Sequence, residues 1–102
     1  MVYQVNWSPA ARDDLRGIAD YIAADSLFYA EAVVNKIIDV SDSLGEYPNR
    51  GRIVPDWGLP DFRERFVYSY RLIYRVSDDE VVILAVVHGR RLLEGIEDEP
   101  GE

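Results

Sequence analysis

Phe62-Arg63-Glu64-Arg65-Phe66-Val67-Tyr68, then Tyr70-Arg71-Leu72-Ile73-Tyr74-Arg75-Val76, then Glu80-Val81-Val82-Ile83-Leu84-Ala85-Val86-Val87: these three runs decide the fold. Each is strand-length, and the first two alternate. In the second, Tyr70, Leu72, Tyr74 and Val76 share one face, while Arg71, Ile73 and Arg75 share the other. Val81 to Val87 is apolar on both faces, which predicts an interior strand. Tyr68-Ser69 and Asp78-Asp79 are the turns between them. Upstream, Tyr47 to Pro60 has no periodicity and is broken by Pro48, Pro55 and Pro60, so it reads as a long loop of the kind that is often functional or mobile.

Further toward the N-terminus, two helices are expected. Ser8-Pro9 is an N-cap followed by proline at the first helical position. Asp13 and Asp14 fall in the early turns, where the helix dipole favours negative charge. Ala11, Leu15, Ile18, Ala19 and Ile22 recur at helical spacing, up to an end near Ala24. Asp25-Ser26 starts a second helix, with Ala30, Val33, Val34, Ile37, Ile38, Ser41 and Leu44 in the same period and Gly45 as its stop. The short break makes the pair an antiparallel hairpin. Val2 to Trp7 reads as a leading strand. The expected class is α+β, in the order β-α-α-β-β-β, with a helical hairpin packed on a small twisted antiparallel sheet. One domain over residues 1–93 is expected, followed by an acidic, flexible tail over 94–102.

Composition bounds the chemistry. The chain has 102 residues, 48% hydrophobic, with no cysteine and one histidine. It is too apolar to be disordered. Disulfides, zinc–thiolate sites and thiol nucleophiles are excluded, as is a histidine-rich metal site. No metal or cofactor is expected. Met1 to Asn6 lacks the pattern of a secretory signal, and no apolar run approaches the ~20 residues of a membrane span, so a cytoplasmic chain without membrane contact is the default.

The net charge of −8 hides an asymmetry. Between Arg50 and Arg91 eight arginines accompany six acids, while the rest of the chain carries three bases and thirteen acids. Arginine presents a planar fork suited to carboxylates and phosphates. Arg63, Arg65, Arg71, Arg75, Arg90 and Arg91 are the candidate recognition residues, expected to converge on the sheet face turned away from the helices. Like charges so grouped repel unless an acid answers them. The answer is either a ligand or the chain's own acids, Asp56, Asp61, Glu64 and those of the tail. His88 is a candidate acid or base, with a structural hydrogen bond to backbone as the plainer role. Pro48-Asn49-Arg50-Gly51-Arg52 is too short for a phosphate loop and reads as a surface turn. The helix acids lack ligand spacing and form a solvated face. Tyr21, Phe28 and Tyr29 at the hairpin tip read as packing residues.

Four segments together resemble the RelE/ParE superfamily of toxins from type II toxin–antitoxin pairs, and most of all its ParE, or plasmid-stabilisation, branch. They are Trp7-Ser8-Pro9-Ala10-Ala11-Arg12-Asp13-Asp14-Leu15, Pro48-Asn49-Arg50-Gly51-Arg52, Tyr70-Arg71-Leu72-Ile73-Tyr74-Arg75 and Val86-Val87-His88-Gly89-Arg90-Arg91. The resemblance implies a cognate antitoxin wrapped on the toxin. ParE-type members trap DNA gyrase with cleaved DNA. RelE-type members are metal-independent endoribonucleases that cut mRNA in the ribosome. For a ribonuclease the resemblance implies roles for Arg63, Arg65, Arg71 and Arg91, with His88 as the group that would move a proton, but the C-terminal tyrosine common there has no counterpart between Leu92 and Glu102. A chain of net charge −8 is also poorly steered to the ribosomal polyanion. The favoured expectation is therefore a gyrase-directed inhibitor that performs no reaction itself. The ribonuclease is the alternative, and a non-toxic remnant that only binds antitoxin is a third. Exposed strand edges and the helical hairpin would allow a homodimer or a toxin–antitoxin heterotetramer.

Overall fold

The computed structural model describes residues 2–101. The elements are β1 (Gln4–Trp7), α1 (Pro9–Ala23), α2 (Leu27–Ser43), β2 (Arg52–Ile53), β3 (Phe62–Val67), β4 (Tyr70–Val76) and β5 (Glu80–His88). The five strands form one sheet in the order β1-β5-β4-β3-β2. The α+β class and the helical hairpin are as expected. Two details differ. β1 runs parallel to β5, so the sheet is mixed rather than antiparallel. A two-residue strand, β2, lies within the expected loop and pairs with β3.

Local signals place the helices. The Ser8 hydroxyl accepts from the Ala11 N–H, and the Ser26 hydroxyl from the Tyr29 N–H, so both expected caps are formed. Helix α2 ends at Ser43, before Gly45. Gly45 serves instead as a point of close approach: its carbonyl accepts from the Tyr3 N–H, and a Cβ there would sit 2.8 Å from the Tyr3 carbonyl. The stripes of both helices pack on one sheet face, where Ala11, Val33, Ile37, Leu44, Val67, Leu72, Tyr74, Val81, Ile83 and Val86 form the main core.

The other sheet face is also covered. Val54, Ile73, Leu84, Ala85, Val87, Leu93 and Ile96 form a second cluster, flanked by Trp57, Phe62 and Val82. Trp57 and Phe62 meet edge to face with centroids 5.5 Å apart. Ile96 is only 7% exposed, so the packed part of the chain passes the expected boundary at Leu93. The segment after β5 acts as a strap laid on the sheet. Its acids and glycines predict a flexible tail, but two apolar side chains, Leu93 and Ile96, anchor it.

The long loop is stapled as well. The Tyr74 hydroxyl accepts from the Gly51 N–H at 2.9 Å and donates to the Pro48 carbonyl at 2.8 Å. Burial holds the Tyr74 phenol above its ordinary value, against the Gly51 N–H and the charges of Arg63 and Arg65. Gly51 is required here: a Cβ would come within 2.5 Å of the Glu64 carbonyl and 2.6 Å of the Tyr74 hydroxyl.

Two measurements check this layering. Tyr74→Phe strands the Gly51 N–H in the core and should cost about 1–3 kcal/mol in urea denaturation. Ile96→Ala should cost about 2 kcal/mol if the strap is part of the fold. An unchanged midpoint for Ile96→Ala would mean that the strap adds nothing to stability.

Candidate functional site

The register of the β3–β4 hairpin decides where the arginines go. Val67 pairs with Tyr70 across the Tyr68-Ser69 turn, so Arg65 faces Leu72, Arg63 faces Tyr74, and Phe66 faces Arg71. Cross-strand partners share a sheet face. Arg63 and Arg65 therefore lie on the helix side with Leu72 and Tyr74. Arg71 and Arg75 lie on the opposite side, paired across the sheet with Val87 and Val82. The expected convergence of all these residues on the face away from the helices is corrected: a two-residue turn pairs odd-numbered residues with even-numbered ones, so it splits the four strand arginines between faces.

Arg71 is sealed within the chain. Its side chain is 7% exposed and that of Glu64 is fully buried. Arg71 Nε and Nη2 donate to Glu64 Oε1 at 2.8 and 2.5 Å, and Nη2 also donates to Asp56 Oδ1 at 3.0 Å. Arg52 Nε donates to the other carboxylate oxygen, Glu64 Oε2, at 2.6 Å. Burial works against the charged Arg71 guanidinium, but the hydrogen bonds and charges of Glu64 and Asp56 outweigh it and leave its pKa above the ordinary value. Of the two answers open to the sequence, the chain's own acids hold this arginine.

The other candidates are dispersed. Arg63 Nη1 donates to the Gly51 carbonyl at 2.9 Å and, at 3.4 Å, to that of Asn49, so it braces the loop. Arg63 Nε, Arg65 Nη1 and Arg75 Nε are buried N–H groups with no acceptor among the described residues. Arg90 is exposed in the turn after β5. Its N–H donates to His88 Nδ1 at 3.3 Å, the backbone role anticipated for the histidine. His88 also stands edge to face with Tyr70, centroids 6.0 Å apart.

His88 and Arg91 line a cleft of about 490 Å³ between α1 and the end of β5, together with Asp14, Gly17, Ile18, Tyr21, Tyr70 and Val86. Sequence reasoning did not find this cleft. Asp14, read as a dipole partner and surface acid, accepts the Val86 N–H at its edge, 3.0 Å away. Burial raises the Asp14 carboxyl above its ordinary value, against that hydrogen bond and the charge of Arg91. Tyr21, expected to pack, is 79% exposed at the rim, and Phe28 and Tyr29 are likewise exposed at the hairpin tip. No group of three or more possible metal ligands occurs among the described residues. No helix there is long and apolar enough to cross a membrane.

Two variants test these electrostatics. Glu64→Gln removes the charge between two arginines, and breaking a buried pair from one side costs about 3–5 kcal/mol. Denaturation should show a loss in that range, with a smaller one for Asp56→Asn. Asp14 gives a signature in pH. A carboxyl raised by folding holds its proton more tightly in the folded chain, so its contribution is full below the unfolded value and declines as pH climbs through the folded one. Asp14→Asn keeps the acceptor for Val86 without the charge. It should remove that decline in stability curves taken between about pH 3 and about pH 7.

Comparison with known proteins fits this architecture. A family model described as "ParE toxin of type II toxin-antitoxin system, parDE" matches residues 5–93. The chain is 37% identical over 90 residues to Toxin RelE2 of Caulobacter vibrioides, covering 87% of this chain and 98% of that protein. Among solved structures, the chromosomal ParDE system from P. aeruginosa superimposes with a TM-score of 0.71 at 23% identity, over 85% of this chain and 96% of that one. The toxin–antitoxin complex RelBE2 from Mycobacterium tuberculosis gives 0.64 at 26% identity, over 86% and 92%. A mutant of E. coli toxin RelE in the free state gives 0.65 at 21% identity, over 88% and 86%, a likeness of fold. With the family model spanning β1 to the segment after β5, the chain belongs to the ParE toxin family of type II toxin–antitoxin systems.

Proposed function

We propose that this toxin acts by binding rather than by catalysis, that a cognate antitoxin holds it inactive, and that its target is DNA gyrase. The observation that carries this reading is the state of Arg71. A phosphate-cleaving site needs donors converging on the position where charge develops. Arg71, the strand arginine such a site would use, is spent on Glu64 and Asp56. Arg63 and Arg65 stand on the opposite face. The acidic net charge of −8 also opposes entry into the ribosome. The match to the parDE family and the solution of the M. tuberculosis relative as a toxin–antitoxin complex support an antitoxin partner.

One observation favours the ribonuclease as a second reading. His88 and Arg91 share a cleft, and the 37% identical relative is named RelE2. There His88 would move a proton and Arg91 would stabilise phosphate charge.

Expression without the antitoxin should arrest growth and elongate cells. Purified toxin should inhibit supercoiling by gyrase in a plasmid assay, while primer extension on translated mRNA shows no new ends. Cuts within codons together with full gyrase activity would replace this reading with the ribonuclease. Normal growth at confirmed expression would support a remnant that only binds antitoxin.

A further inference from the structure

One face of the helical hairpin is left uncovered. Along it runs a continuous groove between α1 and α2, in two halves of about 480 and about 310 Å³ that meet at Ala19 and Val34. Trp7, Leu15 and Ile38 line the half toward the start of α1, and Ala23, Leu27 and Ala30 line the half toward the hairpin tip. Leu27 is 67% exposed and Ile38 37%, although both are large and apolar. An apolar groove of this extent on a free surface marks a contact site.

Charge is ordered along the groove. Arg12 and Arg16 are the charged residues of the first half, Asp20 and Glu31 those of the second. All four are exposed. Arg12 forms no ion pair among the described residues. Arg16 donates to Asp13 at 3.0 Å, an exposed pair one helical turn apart that is weak and readily exchanged. Asp13 itself lines the other cleft, with His88 and Arg91. The chain carries −8 overall, yet in this groove two bases balance two acids. A partner of strong single-sign charge would be attracted at one end and repelled at the other. A partner with the same two-ended pattern, reversed, satisfies both ends.

A second copy turned end for end is such a partner. A twofold axis in the contact plane, crossing both helices at Ala19 and Val34, lays the arginine end of each copy over the acidic end of the other. It also carries Leu27 of each copy toward the half of the partner groove that holds Trp7 and Ile38. A rotation that kept the helices parallel would stack arginines on arginines and acids on acids, so charge fixes the direction. We propose that the protein self-associates through this face, hairpin against hairpin and antiparallel, with the groove between α1 and α2 as the contact. Strand edges and the hairpin were both open to a homodimer in the sequence; the order of charges selects the hairpin. The inference is independent of the toxin's target.

The test is sedimentation of the full chain, purified with the product of the reading frame adjoining its gene, separated from it and refolded. Two variants reverse one end of the groove each: Arg12→Glu with Arg16→Glu, and Asp20→Arg with Glu31→Arg. The positions are exposed, so both should unfold close to the wild-type thermal midpoint. The wild type should sediment as a dimer, and each variant alone should have a dimer dissociation constant at least tenfold higher, because like-charged ends now meet. An equimolar mixture of the two variants should dimerise again, since the all-acidic groove of one fits the all-basic groove of the other. A readout that needs no charge variant is the emission of Trp7 in a Trp57→Phe chain, which should move to shorter wavelength as concentration rises and the groove is covered. A wild type that stays monomeric at every concentration overturns the proposal. Variants that dimerise as the wild type does, a mixture that stays monomeric, or Trp7 emission that is constant across dimerisation also overturn it and move the contact to another surface.

Discussion

One buried carboxylate organises the arginine-rich half of this molecule. Glu64 is 1% exposed and sits at the centre of a chain of charges, with Arg52 on one oxygen and Arg71 on the other. It thereby ties β2 to β3, β3 to β4, and, through Arg71 and Asp56, the loop after β2 to the sheet. A lone carboxylate at this depth would be expelled or protonated; two guanidinium groups supply the compensating charge. The consequence for function is direct. Arginines that look like a ligand surface in one dimension are partly structural cations in three.

The two hydrophobic layers follow the same economy. A chain of 102 residues has one sheet and must cover both of its faces. The helical hairpin covers one. The other is closed by Val54, Trp57, Leu93 and Ile96, contributed by the long loop and the strap after β5. Neither face remains as a broad open platform. One unmatched edge is the end of β5 beyond β1, where Ser8 and Asp14 supply hydrogen bonds of the kind a neighbouring strand would give. Edges are where a sheet meets partners, because main-chain donors and acceptors there are not yet committed.

Much of this was legible from residues alone. Caps at Ser8 and Ser26, the alternation of Tyr70 to Val76, and the apolar run Val81 to Val87 are local signals, and each produced the element it announced. The split of the arginines was within reach too. Once Tyr68-Ser69 is a two-residue turn, odd positions must face even ones, and Arg63 cannot share a face with Arg71. Grouping arginines by strand without following the register across the turn hid that. The anchors of the strap were harder to see. Two apolar residues among acids and glycines carry no periodicity, and only the exposed second face of the sheet gives them a place to go.

The order of elements, the helical hairpin and the interior position of the last strand were settled by the sequence, because propensity, capping and hydrophobic period act over a few neighbouring residues. The pairing of Glu64 with Arg71 and Arg52, the stapling of the loop by Tyr74, and the cleft beside Gly17 and Arg91 were decided by tertiary structure. Each of these joins residues far apart in the chain, and whether a charge is spent or available depends on which group lies within a few ångströms of it, something no local pattern encodes.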